Sequence, residues 1–429
     1  MSGSRPLRVA EVLAIGSELL GTTRLDTNSL FIADKLSSLG IVLRSKTVVG
    51  DDRDAIAEHC RHALARADLV VLTGGLGPTD DDLTRNAVAM VTELPLEEDT
   101  AIVEQIKRRF ERRGMRMPDV NRRQALVLRG ATVLDNPHGT APGQLLELQG
   151  RVLVLLPGPP RELRPMLRKL CEGPLKERAG EERVYRTSLF ITGRSESHVE
   201  ETVQPIYSRW RGERPPIETT ILAAPGQVEL HLLLSSSNED QALARLRAAS
   251  GQLVEALGRY VFSRDGRSME EVVGALLAER RLTIAAAESC TGGLMMARLT
   301  DVPGSSAYVL GGVVCYSNEM KKDLLRVTDL QLRDYGAVSE PVAVTLAENA
   351  RSIAGGTIGV GITGIAGPGG GSPEKPVGTV VIAVVDAGGT ARVRTFQFIG
   401  DRAQVRFQAS QAALEMVRRQ LVYDEPASS

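Results

Sequence analysis

"DLVVLTGGLGPTDDDLTR", residues 68 to 85, runs from four consecutive apolar residues into a loop with three glycines, then three aspartates and a helix-like segment. A short apolar run without alternation is what a strand buried on both faces looks like, and such strands belong to parallel sheets. Working outward, "RVAEVLAIG" (8–16) and "IVLRSKTVVG" (41–50) are two more strand candidates. Between them, "DTNSLFIADKLSSLG" (26–40) reads as a helix with a cap candidate at Asp26 and a stop at Gly40, and "DDRDAIAEHCRHALARA" (51–67) reads as a second helix. Strands alternating with helices predict a doubly wound α/β domain with a mostly parallel sheet and ligands beyond the strands' carboxyl ends.

The loops at those ends are "GSELLGTTRLDTN" (16–28), "TGGLGPTDDDLTR" (73–85), "NPHGTAPG" (136–143) and "PGPPREL" (157–163). Gly74, Gly75 and Gly77 permit close backbone approach, and the helix that follows offers N–H groups to an anion. Asp80, Asp81 and Asp82 have the hard oxygens that magnesium prefers, and acids in a first helical turn also simply complement its dipole. Four Gly/Pro loops after sheet-like runs predict a pocket.

From Val184 to Phe262 the pattern changes to a small α+β unit: a strand, a helix, a hairpin around Pro225-Gly226 and the helix of 238–258. It has the look of a spacer or dimerisation module. From Ser268 a second α/β pattern begins with "MEEVVGALLAERR" and "LTIAAA" and closes with the helix "DRAQVRFQASQAALEMVRRQLV".

Bulk properties narrow the class. The 429 residues carry 52 Lys+Arg against 53 Asp+Glu, a net charge of -1, which gives no support to a nucleic-acid or membrane-surface role, although a local basic patch could hide in it. No apolar stretch approaches the roughly 18 residues of a membrane span, and the first six residues lack the apolar core of a leader. A cytoplasmic protein is expected. Cys60, Cys171, Cys290 and Cys315 are scattered with no Cys-x-x-Cys pair, so no disulfide framework or zinc knuckle is indicated.

Within the last block, "AAAESCTGG" (285–293) sets Ser289, Cys290 and Thr291 between an apolar run and two glycines. None of the five histidines lies after His231, so no Ser-His-Asp or Cys-His arrangement can form inside this block. A lysine with a lowered pKa is the base that remains. The block holds only Lys321, Lys322 and Lys375, and spacing alone does not pair any of them with Ser289. The turn is equally an anion cradle that binds phosphate without reacting, or an oxyanion hole.

Taken together, "AAESCTGGL", "GSSAYVLGGVVCYSNEMK", "YGAVSEPV", "GITGIAGPGGGSPEKPVGTV" and "GDRAQVR" resemble the nicotinamide-nucleotide amidase domain of the CinA family. The first block, with its Gly-rich loops, is similar to that family's molybdopterin-binding-like domain, and a KH-like domain lies between the two in full-length members. The resemblance implies three domains, at 1–178, 179–262 and 263–429. It implies hydrolysis of nicotinamide mononucleotide to nicotinic acid mononucleotide and ammonia without a cofactor. Ser289 is then the nucleophile, Lys321 the base, and Tyr316 a polarising or relaying group. Thr291, Gly292, Gly293, Thr363 and Gly364 cradle substrate, Arg402 meets its phosphate, and Cys290 is a packed thiol. In the first block it implies a nucleotide site at Glu18, Asp26, Asn28, Gly74, Gly75, Gly139, Thr140 and Gly158. Some members have an ADP-ribose pyrophosphatase activity there, which needs a divalent metal; Asp81 and Asp82 match its ligands. The implied partners are pyridine nucleotides, ADP-ribose and a second copy in a homodimer, with no nucleic acid and no membrane. Three readings stay open: an enzyme with both activities, an amidase regulated by a nucleotide-sensing first block, and a non-catalytic nucleotide- or molybdopterin-binding protein.

Overall fold

In the computed structural model, which describes residues 6–22 and 24–423, the strand and helix runs read above fold into two units, residues 1–185 with 234–244 and residues 186–233 with 245–429. Residues 1–5, read for a leader, Thr23 of the first loop and the tail 424–429 lie outside the described residues.

The first unit contains β1 (Val9–Ile15), α1 (Asn28–Ser38), β2 (Val42–Val49), α2 (Arg53–Arg66), β3 (Leu69–Thr73), α3 (Thr84–Thr92), β4 (Leu96–Glu98), α4 (Thr100–Glu111), β5 (Leu126–Leu128), β6 (Thr132–Leu134), β7 (Gly143–Leu148), β8 (Arg151–Leu156), α5 (Pro160–Glu172) and α6 (Pro174–Arg178). Its main sheet runs β2-β1-β3-β8-β7-β6. The first four strands are parallel, as expected, whereas β7 pairs antiparallel with β8 and β6 pairs antiparallel with β7. The return is local chemistry: Gln149 and Gly150, at φ 47 and 86, make the kind of two-residue turn whose twist matches a hairpin. Along β8, Val152, Val154 and Leu156 face the core under α1 and α5, while Leu153 and Leu155 face the core under α2 and α3. Because the chain leaves β1 to β2 on one side and continues to β3 on the other, the carboxyl ends of β1 and β3 form the topological switch point.

The second pattern supplies β9 (Arg183–Ile191), α7 (Glu196–Tyr207), β10 (Glu218–Ala224), β11 (Gln227–Ser236), α8 (Glu239–Leu257) and β12 (Val261–Ser263), with a four-stranded sheet in the order β10-β11-β9-β12. The expected hairpin is present, turning at Pro225-Gly226. The chain then forms α9 (Met269–Arg280), β13 (Ile284–Glu288), α10 (Leu294–Thr300), β14 (Val309–Val314), α11 (Asn318–Leu325), α12 (Asp329–Tyr335), α13 (Glu340–Ala354), β15 (Ile358–Gly364), β16 (Thr379–Val385), β17 (Ala391–Gln397) and α14 (Arg402–Tyr423). This sheet runs β14-β13-β15-β16-β17, parallel through β15 and antiparallel beyond it. Ile284, Ala286, Val360, Ile362, Ile382 and Val384 pack on one face with α9, α10 and α14. The opposite face is built of small residues because α13 lies almost on the strand: a Cβ at Gly361 would collide with the Ala343 carbonyl oxygen. Among the described residues no helix is long and apolar enough to cross a membrane.

Candidate active site

β13 ends at Glu288, and the next residue, Ser289, still donates its N–H to Ile362 O at 2.9 Å. The sheet ladder therefore extends to the hydroxyl-bearing residue. The chain then turns through Gly292 and Gly293, whose φ values of 60 and 89 belong to the left-handed region where a side chain is strained, and enters α10. Ser289 is buried.

Lys321 projects from α11, a helix whose start is capped by Ser317 accepting from Met320 N. The lysine is only 2% exposed, and its Nζ donates to Cys315 O at 2.9 Å, Tyr316 O at 3.3 Å and Ser289 Oγ at 3.2 Å. Burial lowers its pKa from the usual lysine value, opposed in part by the Cys315 thiol. With two N–H bonds fixed on carbonyls, the third tetrahedral direction of the nitrogen is aimed at Ser289 Oγ, so a neutral amine would present its lone pair there. Lys322, one residue on, is half-exposed and pairs with Asp329 at 3.0 Å. The neighbouring Cys290 is buried, and desolvation pushes its thiol up to about 12. A thiol with that pKa supplies no thiolate near neutrality.

The remaining expected residues are placed less uniformly. Tyr316 is 58% exposed, its phenol accepts from Arg402 Nη2 at 2.7 Å, and it is its backbone carbonyl that accepts from Lys321. Arg402 also donates to Gly367 O at 2.8 Å, which ties the loop after β15 to Tyr316. Thr363 is buried and donates to Ala337 O at 2.8 Å, and Gly364 gives way to Val380 and Thr379 of β16. The Thr291 hydroxyl is buried and meets no hydrogen-bond partner among the described residues.

Two residues of this site were not singled out from the sequence. Buried Glu288 accepts from Met295 N at 3.2 Å and Met296 N at 2.9 Å, so a protein carboxylate already occupies N–H groups that a phosphate cradle would use. Arg406 donates from Nε and Nη2 to Thr291 O at 3.2 and 2.8 Å. Both lie inside quoted motifs, and an acid closing an otherwise apolar strand was the signal for Glu288.

In the first unit the switch-point loops do converge. Asn28 Nδ2 donates to Gly158 O at 2.6 Å and to Thr73 Oγ1 at 3.4 Å, while its Oδ1 is buried with no hydrogen-bond partner among the described residues. Asp26, expected as the cap of α1, sits one residue before its N-cap Thr27 and accepts from Ser29 N at 2.9 Å, and Glu18 lies exposed in a short turn. Gly74 passes against Ile15 O and Gly75 against the Thr84 hydroxyl. The Arg85 guanidinium, 3% exposed, donates to Leu76 O and Gly77 O at 2.8 Å each, and burial lowers its pKa to about 10. Gly139 and Thr140 border a shallow depression with Asn136 and Arg109.

Of the two residues expected to hold a metal, Asp81 is exposed, with hydrogen bonding from Thr79 holding its carboxyl below the usual carboxylate range, whereas Asp82 is turned inward. Asp82 is spent on its own loop, accepting from Gly77 N at 2.6 Å, Thr79 N at 2.8 Å and Thr79 Oγ1 at 2.5 Å, and Asp80 pairs with Arg123. Among the described residues no three His, Cys, Asp or Glu side chains are grouped to hold an ion.

Comparison with known proteins agrees with this arrangement of parts. Residues 266–421 match the family model for the CinA C-terminal domain, and residues 11–177 match the model for a probable molybdopterin binding domain. A CinA-like protein of Koribacter versatilis is 47% identical over 96% of this chain and 100% of its own length; one of Solibacter usitatus is 43% identical over 96% and 98%. A solved competence-damaged protein (CinA) superfamily protein of Klebsiella pneumoniae is 32% identical, with a TM-score of 0.35, covering 37% of this chain and 99% of that one. The chain belongs to the CinA family.

Proposed function

We propose that the second unit is an amidohydrolase whose substrate is nicotinamide mononucleotide. The observation that carries this reading is the buried contact of 3.2 Å between Lys321 Nζ and Ser289 Oγ, in a block without histidine. As the Ser289 oxygen bonds to the carboxamide carbon, its proton passes to the neutral Lys321 amine. The tetrahedral oxyanion lies against the turn that follows Ser289, where backbone N–H groups, Cys290 and Thr291 among them, face the nucleophile's neighbourhood and already bond the Cys290 sulfur. Collapse expels ammonia, which takes the proton back from Lys321. Water then attacks the resulting ester, Lys321 accepts its proton, and nicotinic acid mononucleotide leaves as Ser289 is regenerated.

The commitment of Glu288 to the α10 N–H groups favours a reacting hydroxyl over a passive phosphate cradle. For the first unit we propose a nucleotide-binding role at the Asn28 switch point; no hydrolytic step is assigned, because Asp82 of the expected metal pair is engaged by its own loop. Ammonia release from nicotinamide mononucleotide by the full-length chain, compared with Ser289→Ala, tests the proposal. Release by wild type and none by the variant is expected; equal release, or none from either folded protein, rejects it.

A further inference from the structure

The peptide joining Thr291 to Gly292 is gripped at both ends. Its N–H donates to Ser289 O at 3.1 Å, and its carbonyl accepts from Arg406 Nε and Nη2 at 3.2 and 2.8 Å. Gly292 and Gly293, both at positive φ, impose little torsional resistance of their own, so without a tether this peptide is free to flip. Arg406 is half-buried, enters no ion pair among the described residues, and directs both of its hydrogen bonds at that single carbonyl. A charged donor aimed twice at one neutral acceptor is a strong local restraint. It comes from α14, which is anchored nearby: Arg298 of α10 donates to Ser410 Oγ at 2.8 Å and to Gln411 Oε1 at 2.5 Å.

We infer that Arg406 is a positioning residue, which fixes the Thr291–Gly292 peptide and thereby keeps Ser289 Oγ within reach of Lys321 Nζ. The inference rests on Ser289 being the nucleophile. The competing role for an unpaired guanidinium beside this turn is contact with an anionic group of the substrate, and the two roles separate experimentally. A positioning residue acts on every acyl substrate alike and on the intrinsic reactivity of Ser289. A phosphate ligand acts only when phosphate is present.

The test uses full-length Arg406→Met and Arg406→Lys, with two readouts. The first is ammonia release from nicotinamide mononucleotide and from the phosphate-free nucleoside; the second is the rate at which a small fluorophosphonate labels Ser289, followed by intact mass. We expect Arg406→Met to lower kcat about 10²-fold on both compounds, with KM changed by no more than about twofold. Labelling should slow in parallel, and Arg406→Lys should recover part of each loss. A rise in KM confined to the phosphorylated compound, or unchanged labelling, overturns the inference. If wild type releases no ammonia from either compound, the proposed function falls and labelling alone judges Arg406. If Arg406→Met does not fold, labelling of Arg406→Lys decides.

Discussion

Replacing Lys321 by methionine removes the amine while keeping the length of the side chain. The wild-type side chain is buried, and its nitrogen's hydrogen-bond partners are two carbonyls and a hydroxyl, with no carboxylate paired to it among the described residues. Two consequences follow from that geometry. Loss of the base should lower kcat for ammonia release by about 10² to 10⁴. The second consequence is a change in the pH dependence of stability. Burial places the folded pKa of Lys321 below that of the unfolded chain, about 10.4. Between those two values the unfolded chain binds a proton that the folded one does not, so wild-type stability rises with pH across that window. The penalty for carrying the charge is complete below the folded pKa and gone above the unfolded one, at about 1.4 kcal/mol for each pH unit separating them. Urea melts of both proteins from pH 7 to 10.5 isolate the contribution as their difference: Lys321→Met should lead at low pH and lose that lead as pH rises. A constant difference across the range, or near-normal turnover by the variant, would refute a buried, readily neutralised base.

Cys290→Ser should keep turnover within about threefold, since a thiol with a pKa near 12 is not ionised and the hydroxyl is of similar size; a large loss in the same ammonia assay would reopen a thiol mechanism. Tyr316→Phe should cost less than about tenfold in kcat, because the phenol is exposed and bonded to Arg402 rather than to the reacting pair. A loss of two orders of magnitude would restore the relay role. Asp82→Ala should lower stability by about 1–3 kcal/mol by leaving loop N–H groups unpaired. It should do so equally with magnesium or EDTA present; a magnesium-dependent rise in wild-type melting temperature that Asp82→Ala abolishes would instead make Asp82 a metal ligand.

The sequence was informative wherever one physical rule dominated. Apolar runs such as Leu69–Leu72 and the helix-like runs 26–40 and 51–67 mark elements that the structure contains, since burial and orphan N–H groups act locally. The hairpin of β7 and β8 escaped because its turn, Gln149-Gly150, is a weak signal amid apolar residues. Helices α11 and α12 were overlooked: both are short and capped, and their apolar faces emerge only against α13. For the site, composition reduced the possible bases to three lysines and the family resemblance pointed to Lys321; the physical reason, the direction of α11, needed the structure, since adjacent residues on a helix point about 100° apart. Arg406 and Glu288 were visible as residues and invisible as restraints, because both act on backbone groups whose positions no side-chain pattern encodes.

The loop after β3 arrives already braced, with Arg85 holding two of its carbonyls, Asp82 holding two of its N–H groups, and Thr84 donating to Gly74 O at 2.8 Å. A molecule entering the cleft beside it would meet a rigid wall and would not have to freeze a floppy segment on arrival. Most of the entropy of ordering that wall was surrendered when the chain folded, so association there should be fast, with little change in amide exchange along residues 74–85.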